Sequence, residues 1–294
     1  MQFQGLYTAI MTPFQKGGAS IDFGAYRELV EKQVAAGLAG VVPCGTTGES
    51  PTLSHQEHRE LIQKTVEFVN GRMAVIPGTG SNSTKEAMEL TADACSMGVD
   101  GVMLVNPYYN KPSQEGLYQH FKAIAEKSSK PVVLYNIKGR TAINVEPETI
   151  RRLAEIDNIQ AVKEASGDSG QMARIMRLCG DRLSMLSGDD NITPAVMGLG
   201  GKGVISVASN LYPRKLNRMV GHFLQGNFAA GNQIFYELLD MMNAMFWETN
   251  PVPVKAGAEL LGLCNGELRL PLVPLSEDKK AALKSVLDQL GEDN

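Results

Sequence analysis

The chain alternates between two hydrophobic patterns. Short apolar runs rich in β-branched residues are each followed by a stretch with apolar residues at helical spacing. The short runs are LYTAIM from Leu6, GVVPCG from Gly40, AVIPGT from Ala74, GVMLVN from Gly101, VVLYNI from Val132, QAVKEA from Gln160, LSMLSG from Leu183 and GVISVA from Gly203. They start about 28 residues apart, the length of one βα unit. Most are apolar on both faces, as parallel strands covered by helices are. Between them, FGAYRELVEKQVAAG ends at Gly37, a C-cap glycine. Ser54 with Glu57, and Ser83 with Glu86, have the spacing of capping boxes at the starts of two further helices. Pro147 sits where the first turn of EPETIRRLAEI would be.

Eight alternating units predict an α/β fold, a (β/α)8 TIM barrel, with a doubly wound open sheet as the competing architecture. Four more helical patterns follow the eighth strand: PRKLNRMVGHFLQG, NFAAGNQIFYELLDMMNAMFWE, VPVKAGAELLG and SEDKKAALKSVLDQLGE. One closes the barrel, and three exceed what a barrel needs. The predicted organisation is a catalytic barrel over 1–225 and a C-terminal helical region over 226–294. No Ser/Gly linker separates them, so the helical region should pack on the barrel.

Composition narrows the function class. The 294 residues are 43% hydrophobic and 20% charged, with a formal net charge of −4 and no long Lys/Arg run, which argues against a nucleic-acid partner. No apolar stretch approaches about 18 residues, which argues against a membrane span. The opening MQFQGLYTAIMTPFQ lacks a basic segment followed by an apolar one, so a cytoplasmic location is expected. Cys44, Cys95, Cys179 and Cys264 are scattered without C-x-x-C spacing, which suggests reduced thiols. Of the histidines only His55 and His58 lie close together, and nothing near them completes a metal set, so no metal is expected.

In a TIM barrel the chemistry lies at the C-terminal ends of the strands. There stand Gly45-Thr46-Thr47-Gly48-Glu49, Asn106-Pro107-Tyr108-Tyr109, Tyr135-Asn136 with Arg140-Thr141, Lys163-Glu164, Gly188-Asp189-Asp190 and Ile205-Ser206. Lys163 is the sharpest of these. A lysine inside a covered strand is costly unless paired or neutral, and desolvation makes it a nucleophile toward carbonyls. The competing reading is a structural pair with Glu164, which alternation along a strand disfavours. Tyr135 is either a core tyrosine or a phenol that moves protons. Arg140 is either a surface charge or a fork for a carboxylate. GTTGES is either a plain glycine-rich turn or a donor-lined cradle for a carboxylate. Gly198–Gly203 matches G-x-G-x-x-G but precedes a strand instead of opening a helix, which rejects dinucleotide binding. No P-loop occurs.

GTTGES, GTGSNST, PYYNKPSQEGLYQHF, YNxxxRT, VKEASGD, LSGDD and GGKGVISV, in this order, closely resemble the dihydrodipicolinate synthase family, within the superfamily of N-acetylneuraminate lyase and class I pyruvate aldolases. The resemblance runs from Gly5 to about Pro274. It implies a Schiff-base enzyme that condenses pyruvate with L-aspartate 4-semialdehyde to 4-hydroxy-tetrahydrodipicolinate, the first committed step of the diaminopimelate/lysine pathway. Lys163 would form the imine, with no other cofactor. Tyr135 would be the general acid/base, in a proton relay with Thr46 and with Tyr109 from a neighbouring subunit. Thr47, Gly188 and the backbone of Ile205 would hold pyruvate, and Arg140 the semialdehyde carboxylate. A homotetramer of two tight dimers is implied. So is feedback inhibition by L-lysine, bound by Ser50, Pro51, His55, His58, Asn82, Glu86 and Tyr108. The family usually reads YNVPxRT, whereas Lys138 replaces the proline here, which would loosen the turn carrying Arg140. Two other readings stay open. One is another pyruvate lyase of the superfamily, acting on sialic acid or a 2-keto-3-deoxy sugar acid. The doubled Thr46-Thr47 and Arg140 oppose it. The other is a barrel that binds without turnover, which the reactivity of Lys163 toward pyruvate would decide.

Overall fold

Strand six explains the architecture best. From Ala161 onward the chain alternates between two cores: Ala161 and Ala165, the latter just past the strand end, face the barrel interior, while Val162 packs under the helices. The computed structural model describes residues 3–293, and all eight predicted strands form in it. They are β1 (Gly5–Ala9), β2 (Gly40–Val42), β3 (Ala74–Val75), β4 (Val102–Val105), β5 (Val132–Asn136), β6 (Ile159–Glu164), β7 (Ser184–Ser187) and β8 (Gly203–Ser206). Every pairing between them is parallel, and β1 pairs with both β2 and β8. The circle closes between β3 and β4, where Met103 donates to the Pro77 carbonyl and accepts from the Thr79 N–H, both at 2.9 Å. The sheet is therefore a closed barrel, not the open doubly wound alternative.

Local chemistry sets the helices. Asp22 caps the helix Phe23–Ala35 through the N–H groups of Gly24 and Ala25, and Gly37 just past its end takes the left-handed conformation (φ 69°). Ser54 and Glu57 form a complete capping box on the helix His55–Val69. The second predicted box is only half made. Ser83 accepts from the Glu86 N–H, but the Glu86 carboxylate turns instead to the Ser81 hydroxyl and the His55 ring. Pro147 takes the first helical position of Pro147–Leu153, as expected.

The last helices are Pro213–Leu224, Phe228–Ala244, Val252–Leu260 and Glu277–Leu290. The Tyr212 hydroxyl donates to the carbonyls of Leu287 and Gly291, tying the final helix to the turn after β8. Among the described residues, no helix is long and apolar enough to cross a membrane.

The β1–β8 seam needs backbone contact. A Cβ on Gly203 (φ 153°) would lie 1.9 Å from the Gly5 carbonyl oxygen. Gly203→Ala should therefore cost about 2–4 kcal/mol, since overpacking against backbone has nowhere to relax. By contrast Gly221, inside a helix with open space at its Cβ position, should gain about 0.5–1 kcal/mol as alanine. Denaturant midpoints of the two variants should move in opposite directions.

Candidate functional site

The alternation of β6 places Lys163 on the same inward face as Ala161 and Ala165. The small side chains beside it leave room for the lysine, a residue only 4% exposed. Glu164 points the other way. Its carboxylate accepts from Asn136 Nδ2 at 3.0 Å, the Ser166 N–H at 2.9 Å and Gln171 Nε2 at 3.3 Å, so it does not pair with Lys163. On β5, Tyr135 lies in direct register with Lys163, and the Lys163 ammonium sits 4.1 Å from the centre of the Tyr135 ring.

Burial decides the electrostatics. Desolvation lowers the Lys163 pKa from 10.5 to about 8, against the upward pull of Asp189 and Asp190. Desolvation also pushes the Tyr135 phenol up, while Arg140 and a hydrogen bond with the Thr46 side chain pull it back. Asp189 is raised by the same burial and held down by the nearby Lys163 charge. The buried Asp190 accepts at Oδ2 from the N–H groups of Val207 and Ala208, at 3.0 Å each.

The loop after β2 wraps back on itself, with the Glu49 N–H bonded to the Thr46 carbonyl at 3.1 Å. It brings both Thr46 and Thr47 to the pocket that Lys163 and Tyr135 line. Arg140 also reaches this pocket. Lys138 occupies the first position of a single helical turn, Lys138–Thr141, with Ile137 as its N-cap. A proline is favoured at that position but not required there. The turn closes with Lys138 in place, and Arg140 Nη2 donates to the Asn250 carbonyl at 3.0 Å. Gly188 lines the pocket as well, and a Cβ there would strike Ala165 at 2.5 Å. Ile205 is fully buried in the barrel interior, in the same apolar cluster as Tyr135.

Among the pocket residues not singled out in the sequence are Asn250 and Phe246. Asn250 is 5% exposed, and its Nδ2 donates to Thr47 Oγ1 at 2.9 Å while its own Oδ1 has no partner. Nothing local marked it. Asn-Pro reads as a turn, and only the packing of the C-terminal helices over the barrel mouth brings it to Thr47.

A second, larger cavity of about 360 Å³ lies beside the first. Ser50, Pro51, His55, His58, Glu86 and Tyr108 all line it, and so do Thr46 and Arg140. In a single chain this cavity is therefore contiguous with the lysine pocket. Asn82 stands outside the lining, its carbonyl accepting from Asn110 Nδ2 at 2.9 Å. His58 is buried with Nε2 on the Gly78 carbonyl at 2.9 Å, and desolvation lowers its pKa. Glu86 is held below the usual carboxylate range by the Ser81 hydroxyl and then by His55. Ser81 also lines this cavity and was not anticipated. Tyr109 is not gathered in. It is 89% exposed with a left-handed backbone (φ 73°) and lines neither of the two cavities. Among the described residues no group of three His, Cys, Asp or Glu side chains is placed to hold a metal ion.

The arrangement pairs a depressed-pKa amine with a phenol, two threonine hydroxyls and a guanidinium at the rim. That set suits imine formation with a small oxo acid, followed by proton transfer next to the imine. Comparison with known proteins points the same way. The model of the dihydrodipicolinate synthetase family matches residues 2–290. The 4-hydroxy-tetrahydrodipicolinate synthase of Leptospira biflexa is 56% identical over 292 residues, covering 99% of each chain. The chloride-inhibited dihydrodipicolinate synthase of Acinetobacter baumannii, solved with pyruvate, superposes with a TM-score of 0.95 at 40% identity, over 98% of this chain and 99% of that one. The lysine-bound synthase of Cyanidioschyzon merolae superposes with a TM-score of 0.95 at 41% identity, over 98% of both chains.

The depressed lysine gives a direct test. Only the neutral amine reacts, and its fraction falls about tenfold per pH unit below the pKa. Labelling of Lys163 by an amine-directed acylating reagent, read by peptide mass spectrometry, should rise through pH 8 and then level. Exposed lysines should still be climbing there. A Lys163 profile that matched theirs would contradict the burial argument.

Proposed function

The chain belongs to the dihydrodipicolinate synthetase family, and on that premise we propose that it condenses pyruvate with L-aspartate 4-semialdehyde to 4-hydroxy-tetrahydrodipicolinate through an imine on Lys163. The observation that carries this reading is the buried amine of Lys163, with its pKa lowered to about 8, beside Tyr135. The neutral amine attacks the pyruvate carbonyl carbon, and the carbonyl oxygen leaves as water. The resulting iminium acidifies the methyl group without a metal or organic cofactor. Tyr135, relayed through Thr46, takes and returns the protons. The enamine then attacks the aldehyde carbon of the second substrate, whose carboxylate Arg140 holds by a charge-assisted fork. The substrate amine finally attacks the imine carbon and displaces Lys163 as the ring closes. Thr47, Gly188 and the Ile205 backbone hold pyruvate in place.

The outward Tyr109 completes the relay from a partner subunit, in a homotetramer of two tight dimers working in the cytoplasm. Its exposure in the single chain supports that role, since a phenol so placed has no part in its own pocket. The barrel over 1–225 carries the chemistry, and the helical region over 226–294 closes the mouth with Asn250. The second cavity takes L-lysine, which inhibits the enzyme. Glu86 pairs with a ligand ammonium, while Ser50, His55 and Tyr108 meet its polar groups. The Pro51 carbonyl, His58 and Asn82 complete the set.

Borohydride reduction in the presence of pyruvate should fix the pyruvate carbon skeleton on Lys163, identified by peptide mass spectrometry. Lys163→Ala should lose the adduct and about a thousandfold or more of the coupled activity, while still folding. An adduct on another lysine, or none, ends the reading. For the regulatory part, L-lysine titrated into the assay should lower the rate in a way that excess pyruvate does not overcome. Unchanged rates at millimolar L-lysine, with no heat in a calorimetric titration, would remove it.

A further inference from the structure

The loop that brings Thr46 and Thr47 to the pocket is anchored from behind by side chains that the chemistry above does not use. Glu49, two residues past Thr47, has a left-handed backbone (φ 53°, ψ 38°) that an L residue with a side chain disfavours. Its carboxylate is 1% exposed and forms an ion pair with Lys255, whose side chain is 0% exposed. The other carboxylate oxygen accepts the Arg269 N–H at 3.1 Å. Lys255 in turn donates to the Glu267 carbonyl at 2.7 Å and lies 4.1 Å over the Phe14 ring. Arg269 stacks on the same ring at 4.3 Å, donates to the Gly18 and Thr52 carbonyls at 2.8 Å each, and pairs with Glu57. One cluster therefore joins the segments after β1 and β2 to the C-terminal region. The opposite side of the loop is equally confined. A Cβ on Gly48 would meet the Cys44 N and the Ile10 carbonyl at 3.2 Å each. Asn250, five residues before Lys255, bonds Thr47 directly and accepts from Arg140.

A buried ion pair is a poor way to gain stability, because desolvation offsets most of the attraction and apolar residues would serve as well. Its distinctive property is direction, and strained backbone persists only where its surroundings over-determine it. Resting on the imine chemistry proposed above, we infer that Glu49 is a positioning residue: held by Lys255 and Arg269, it fixes Thr46 and Thr47 against the bound 2-oxo acid. The C-terminal helical region thereby sets the affinity of a pocket built on the barrel.

The test uses Glu49→Gln and the double variant Glu49→Gln/Lys255→Met, both in the full chain. The double buries no uncompensated charge, so it remains informative if the single variant folds poorly. Competent sites are counted by borohydride trapping with saturating pyruvate, and steady-state constants are expressed per trapped site. In both variants the KM for pyruvate should rise by about tenfold or more, as misplacing a contact group does. In the double this rise should persist even where the melting temperature returns to that of the unmodified chain. A purely structural role would lower the melting temperature and the number of trapped sites but leave the constants per site within about twofold, and that result overturns the inference. If the unmodified chain traps no pyruvate, the imine reading itself fails and this inference falls with it, which separates the two failures.

Discussion

Everything at this site depends on one lysine amine kept from water. Lys163 faces inward because β6 alternates and because Ala161 and Ala165 share its face. In solvent the amine would carry its proton at neutral pH and be inert toward carbonyls. Inside the barrel, burial brings its pKa down to about 8, so a useful fraction is nucleophilic. The same burial raises the Tyr135 phenol, which keeps that group protonated and able to donate. One physical effect thus shifts an acid and a base in opposite directions.

The barrel supplies strand ends, but the pocket mouth is made by chain that lies far away in sequence. Asn250 joins Thr47 to the backbone that Arg140 contacts, and the Glu49–Lys255–Arg269 cluster fixes the loop beneath them. The helices beyond residue 225 do more than cover apolar surface. They place polar groups where eight short loops alone would leave a wide, wet opening. The second cavity shares Thr46 and Arg140 with the lysine pocket, so a ligand seated beside Glu86 and Tyr108 would lie next to groups that line both. Coupling between the two cavities needs no long path through the core.

Much of this was legible in the residues. Eight β-rich runs at regular spacing carried the barrel, because covered parallel strands are apolar on both faces and turn back through helices of similar length. Lys163 stood out because a charge inside such a run has no inexpensive place to go. Ser54 and Glu57 announced a helix start, since the capping box is a four-residue affair. The half-made box at Ser83 shows where that reasoning stops. Glu86 had a better offer from Ser81 and His55, groups that local spacing does not reveal as neighbours. Lys138 in place of proline looked like a loosened turn, yet it occupies a helix start that tolerates either residue.

Sequence alone determined the strand count, the inward lysine and the loop that carries the threonines, because each follows from periodicity or from contacts within a few residues. Tertiary structure decided the rest. It closed the sheet between β3 and β4, brought Asn250 across the barrel mouth to Thr47, and turned Tyr109 outward. It also buried Lys255, a lysine on a helix whose spacing gave no hint that it would lie without solvent. Burial of a strand residue can be read from its neighbours in the chain. Burial of a helix residue depends on what other segments pack against it, and that is settled only when the whole chain has folded.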